Sequence, residues 1–143
     1  MDYYKLAEEF MEKMFMLNKA KPQRDLNDSM QGETIVLQYI SFHDESVLPS
    51  EISNVMDIST ARVAVTLNGL EQKGLITRRI DANDRRRILV DITTAGREKA
   101  EHHRKHMIEH TAKFLSLLGE EDAKEYVRIT GRLAELIIKR KEC

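Results

Sequence analysis

The sequence predicts a mainly helical domain with a small β-wing: a winged helix-turn-helix core with further helices at both ends. Three observations predict it. Apolar residues recur at three- and four-residue steps near both termini. Two short alternating runs, Leu75–Asp81 and Ile88–Thr93, flank a turn packed with arginine. Just before them, a helical stretch carries small residues on one face. A chain of 143 residues suits a single domain. Within 1–143, the winged helix-turn-helix spans 31–93, with a recognition helix at about 59–73 and a wing at 75–93. The stretches 1–20 and 94–143 are left as terminal, dimerisation helices.

Asp2 to about Ala20 reads as the first helix, because Tyr3, Leu6, Phe10, Met14 and Leu17 form one stripe, which Met11 and Phe15 widen. Pro22 ends it. So apolar a terminal helix needs a surface to pack on, either its own core or a second subunit. Lys21–Gly32 is polar, with Asn27, Asp28 and Ser29 as turn signals. Glu33 to about Phe42 is the second helix, with Ile35, Val36, Tyr39 and Ile40 facing inward. After a loop at His43–Ser46, Pro49 suits the first turn of a third helix, where Ile52, Val55 and Met56 are the expected core residues.

Ser59 is an expected N-cap, because its hydroxyl can accept from a free backbone N–H at the start of the next helix. That helix runs from Thr60 to Lys73 and stops at Gly74. Val63, Leu67 and Leu70 line its inner face. Ala61, Arg62, Val65, Asn68, Gly69 and Gln72 face outward, and few of them are long charged chains. Such a face can approach DNA closely. Arg62 can donate twice to a guanine edge, Asn68 can pair with adenine, and Ala61 and Val65 can touch a thymine methyl. Ser59 and Thr60 stand where the helix would meet phosphate, and Ser50, in the first turn of the third helix, is counted with them.

The strands come next, with Ile76, Arg78 and Ile80 on one face of the first and Ile88, Val90 and Ile92 on one face of the second. Ala82–Arg86 forms the tip. Between Lys73 and Arg87 there are six basic residues and two acidic ones, net +4, which leaves −5 for the rest of a chain whose formal charge is −1. Charge gathered on one element is the footprint of a nucleic-acid contact. Asp84, two residues before Arg86, can pre-aim that guanidinium, and an aimed arginine suits a narrow minor groove. Arg85 and Arg87 suit phosphates.

Thr93 or Thr94 caps a fifth helix running to about Leu118, whose seam is Ala100, His103, Met107, Thr111, Phe114 and Leu118. Gly119 breaks it, and Glu120–Asp122 opens the last helix. Val127, Ile129, Leu133, Leu136 and Ile137 are its apolar residues, and Lys139–Lys141 suits its C-terminal end.

Other classes find little footing. No apolar run reaches the roughly 18 residues of a membrane span, and the acidic N-terminal stretch is unlike a signal peptide, so a cytoplasmic, nucleoid-associated location and no membrane partner are expected. The single cysteine, Cys143, cannot form an intrachain disulfide. No phosphate loop, nucleophile motif or C-x-x-C pair is present, so neither an enzyme nor a cofactor is expected. His102, His106 and His110 share a helix face and could chelate zinc or nickel in pairs, but they offer no closed ligand shell. A metal-responsive regulator is the alternative they define. A helical dimer acting through protein partners is another.

The segments S-T-A-R-V at 59–63, L-N-G-L-E-Q-K-G-L-I at 67–76 and D-R-R-R-I-L-V-D-I-T-T-A-G at 84–96 resemble the MarR family of bacterial transcriptional regulators, as does the order of elements along almost the whole chain. The wing signature of that family falls on Asp84, Arg86 and Ile92–Thr93. The resemblance implies a homodimer with interlocked terminal helices, binding a pseudo-palindromic double-stranded DNA operator with half-sites about 10 bp apart. It further implies a repressor released by a small-molecule effector bound between the dimerisation helices and the winged helix. Phe10, Met14, Leu17, Tyr39 and Met107 are the apolar candidates for that pocket, although simple core is the first reading of each. Met11 and Met14 stand where oxidation-sensing relatives carry a cysteine on the first helix, which argues against that class.

Overall fold

A computed structural model describes residues 1–20 and 28–142, with side chains for 1–17 and 32–142. The chain is mainly helical with a two-stranded antiparallel wing. In order it forms α1 (Tyr3–Ala20), α2 (Asp28–Ser41), α3 (Pro49–Met56), α4 (Thr60–Gln72), β1 (Ile76–Ile80), β2 (Ile88–Ile92), α5 (Thr94–Ser116) and α6 (Glu120–Glu142). Among the described residues, no helix is long and apolar enough to cross a membrane. The expected stop at Pro22 and the turn residue Asn27 lie outside the described residues.

The core is built by the middle of the chain. Val36, Leu37 and Ile40 of α2, Ile52 of α3, and Val63, Leu67 and Leu70 of α4 pack with Val47, Leu75, Ile76, Val90 and Ala100. Three expectations need correction here. Asp28 and Ser29 belong to α2 rather than to a turn, so that helix starts five residues before Glu33. Ile35 is 55% exposed and Val55 61% exposed, although both were expected to be buried. The inward position next to Ile35 is Leu37 instead. On a short helix the neighbours, not the periodicity, choose which side of a wide apolar stripe is covered.

Local chemistry sets the joints. Asp57 ends α3 in the left-handed region (φ 52°, ψ 49°). Ser53 Oγ then donates to the Ile58 carbonyl at 2.7 Å, closing the turn between α3 and α4. Ser59 Oγ accepts from the Arg62 N–H at 3.1 Å, as its sequence position predicted. Gly74 leaves α4 at φ +74°, a conformation a side chain would strain.

Thr93 joins three elements. Its Oγ1 accepts from the Gly96 N–H at 3.0 Å, capping α5, and donates to the Gly74 carbonyl at 2.7 Å. Its own N–H donates to the Leu75 carbonyl at 3.0 Å. α5 sits so close that a Cβ on Gly96 would lie 2.1 Å from the Leu75 oxygen.

In the wing, Ile76 pairs with Ile92, Arg78 with Val90 and Ile80 with Ile88. The free side of β2 is not left open. Val47 exchanges both backbone hydrogen bonds with Val90, at 2.9 and 2.8 Å, as a third, one-residue strand. Ile76 and Val90 are buried at the root, whereas Ile80 and Ile88 are exposed near the tip. The wing therefore projects from the core.

Candidate DNA-binding surface

α4 presents two faces. Val63, Leu67 and Leu70 are buried, while Ala61, Arg62, Val65 and Asn68 are exposed on the other side. Ser59 and Thr60 are exposed at its N-terminal end, and Ser50 is exposed in the first turn of α3. Val65 is a large apolar side chain left in solvent, which suits a methyl contact better than it suits water.

The wing tip is ordered by two carboxylates. Asp81 Oδ1 accepts from the Asn83 N–H at 2.9 Å. Asp84 Oδ1 accepts from the Arg86 N–H at 3.1 Å and from Arg86 Nε at 3.3 Å. The Asp84 carbonyl also accepts from the Arg87 N–H at 2.9 Å. One acid thus holds both the backbone turn and the arginine that follows it. The Arg86 side chain remains 92% exposed, so its guanidinium stays available. Arg87 pairs loosely with Asp81, at 3.8 Å. Arg85 is exposed and makes no ion pair among the described residues.

The remaining cations of the basic stretch are occupied. Lys73 Nζ lies 2.5 Å from Glu33 Oε2. Arg79 Nε donates to Asp91 Oδ2 at 2.9 Å and its Nη2 to Ser46 Oγ at 3.0 Å. The Ser46 hydroxyl itself donates to Asp91. The Ser46 hydrogen bond holds the Asp91 carboxyl below its ordinary range against the opposing effect of burial, with further help from Arg79. Arg78 donates from Nε to Glu71 at 2.5 Å and from Nη2 to Asn68 Oδ1 at 2.7 Å. Sequence reasoning counted all these cations as one patch. The available signal was the strand face: Arg78 shares it with Ile76 and Ile80, and a charge on a half-covered face needs a partner.

Of the residues expected to line an effector pocket, Met14, Leu17 and Met107 meet in one groove of about 740 Å³ between α1, α5 and α6. Phe10 is exposed and lies outside it. Tyr39 does not join them: its ring packs on His43, with centroids 4.4 Å apart, and leans on the core. Its position on α2 turns it toward the loop after that helix. A second groove of about 550 Å³ opens between α2 and α5, lined by Ile35, Phe42, Met107, Ile108 and Leu115, with His103 and Arg104 on its wall. Met107, Thr111 and Leu115 belong to both grooves.

His102, His106 and His110 are exposed along α5. Among the described residues, no three His, Cys, Asp or Glu side chains come together as a set that could hold a metal ion.

Residues 25–87 match the MarR family. The chain is 32% identical to the HTH-type transcriptional repressor MdtR of Bacillus subtilis (strain 168) over 124 residues, 84% of this chain and 79% of that one. Its structure is similar to that of the YusO protein from Bacillus subtilis, with a TM-score of 0.70 and 28% identity, covering 94% of this chain and 99% of the other. It also shares its fold with Streptococcus pneumoniae FabT, solved in complex with DNA, at a TM-score of 0.67 and 21% identity, covering 99% and 98% of the two chains.

Proposed function

The chain belongs to the MarR family and is a DNA-binding transcriptional regulator; from that premise we propose that it acts as a homodimeric repressor on a pseudo-palindromic operator and is released by a small apolar effector. One observation carries the DNA-reading part. A helix that buries Val63, Leu67 and Leu70 leaves Ala61, Arg62, Val65 and Asn68 outside, and is followed by a projecting wing whose exposed arginine is pre-aimed by Asp84. Arg62, Ala61, Val65 and Asn68 read bases in the major groove. Arg86 enters the minor groove. Ser50, Ser59, Thr60, Arg85 and Arg87 meet phosphates.

The repressor role is supported by the likeness to MdtR, which is named a repressor. The homodimer is supported by the apolar faces of α1 and α6, which the single chain leaves exposed. Two copies of one reading head require a two-fold operator with half-sites about one helical turn apart. The effector reading is supported by the adjoining apolar grooves that share Met107, where a ligand would touch both the terminal helices and α2.

Fluorescence anisotropy on DNA from the gene's own upstream region tests the proposal. Arg86→Ala should weaken binding and lower the salt slope by about 1. An unchanged slope and affinity would remove Arg86 from the interface. Arg62→Ala should weaken the operator more than unrelated DNA, and an equal loss on both would make Arg62 a phosphate contact.

A further inference from the structure

We propose that Arg78 is a positioning residue for base reading: it turns the Asn68 amide so that Asn68 presents its NH2 group to DNA and selects guanine rather than adenine. The inference rests on the reading of α4 as the recognition helix and goes beyond it, to the base that one of its residues selects. Arg78 lies on β1, outside α4, on the strand face it shares with Ile76 and Ile80. Its guanidinium reaches back to α4 and grips two side chains one turn apart, Glu71 through Nε at 2.5 Å and Asn68 through Nη2 at 2.7 Å. Its own side chain is only 29% exposed, so the grip is partly sheltered from water.

The chemistry of the donor decides which way the amide faces. A guanidinium has five N–H donors and no acceptor. The amide atom facing it must therefore be the oxygen. Asn68 is left with its NH2 group on the opposite side. Pairing with adenine needs both ends of an amide, a donor for N7 and an acceptor for the N6 amino group. The Asn68 oxygen keeps a second lone pair, but an adenine amino group reaching for it would approach beside the N–H donors of a cation. Guanine presents two acceptors, N7 and O6, and asks only for donors. An NH2 group held outward meets that edge without reorientation, so no ordering cost is added on binding. Glu71 completes the device, because its carboxylate fixes the guanidinium from the other side.

The test is sequencing of the DNA retained by the full-length dimer from a pool of operators randomised at each half-site, at one fixed salt concentration. The base pair read by Asn68 is the one whose preference flattens in Asn68→Ala. At that position the unaltered protein should retain guanine over adenine by roughly tenfold. Arg78→Met should bring that ratio to about one or below, since the amide is free to turn. If Arg78 served only to hold Glu71 in place, Arg78→Met would lower affinity for all sequences alike and leave the ratio unmoved. Asn68→Asp, nearly isosteric and still able to accept from Arg78, should replace guanine by cytosine, whose amino group wants an acceptor.

Adenine preferred over guanine in the unaltered protein, or a ratio that Arg78→Met does not move, overturns the inference while leaving α4 as the reader. If Asn68→Ala flattens no position while others stay selective, Asn68 reads nothing and the inference falls with it. A pool retained with no preference anywhere would overturn the DNA-reading proposal itself.

Discussion

The winged helix and the outer helices α1 and α6 are both amphipathic, yet only the first covers its apolar face. All the buried hydrophobic residues of the described chain lie between Val36 and Ala100. α6 buries none of its residues, and every described side chain of α1 is exposed, Phe10, Met11, Met14 and Phe15 among them. Burial of apolar area is the main favourable term in folding, so the middle of the chain carries its own stability and the ends do not. An apolar surface this extended marks an association site. The difference teaches that periodicity reports how apolar a face is and stays silent on what lies over it.

The sharpest way to test this contrast is to make the same truncation in both regions. Leu67→Ala, in the core, should cost about 2–5 kcal/mol in chemical denaturation, at any protein concentration. A smaller, concentration-dependent loss there would mean that the winged helix also leans on a partner. Leu133→Glu, on α6, should instead move the sedimenting species toward monomer mass and weaken operator binding by at least about tenfold, because two linked half-sites become one. A monomer that binds as tightly as the unaltered protein would break the dimer reading.

Smaller effects probe the joints of the winged helix. Ser59→Ala removes the acceptor for the Arg62 N–H and should cost about 1 kcal/mol, read as a lowered midpoint with an unchanged denaturant slope. The smallest effect is electrostatic. The Asp91 carboxyl is depressed in the folded state, chiefly by Ser46 and then by Arg79. A depressed acid contributes stability above its unfolded value and loses it as pH falls through the folded one. Stability should therefore drop below about pH 4, and Asp91→Asn should remove that part of the drop. The side chain is 34% exposed, so screening should keep the effect under about 1 kcal/mol. A pH profile identical in the two proteins would show that the Asp91 carboxylate contributes nothing through Ser46 and Arg79 together.

Much of the candidate surface was legible because its chemistry is local. Ser59 caps a helix whose N–H lies three residues on, Thr93 does the same for Gly96, and Asp84 reaches two residues to Arg86. Spacings this short are geometry that the chain cannot avoid once the element forms. The contacts that sequence reading missed span longer separations: ten residues from Asn68 to Arg78, forty from Glu33 to Lys73 and forty-five from Ser46 to Asp91. Tyr39 belongs with them, because its fit to His43 depends on where the loop after α2 goes.

By itself, the sequence determined the order of helices and strands, the caps that bound α4 and α5, the wing with its arginine tip, and the apolar character of the ends. These follow from backbone propensity and from partners a few residues apart. Only the tertiary structure decided which cations of the basic stretch remain available. Lys73, Arg78 and Arg79 are held by carboxylates brought in from other parts of the chain, whereas Arg86 stays exposed with its acid beside it. The physical reason is that a charge count adds all cations equally, while pairing depends on distances that exist only after the helices have packed.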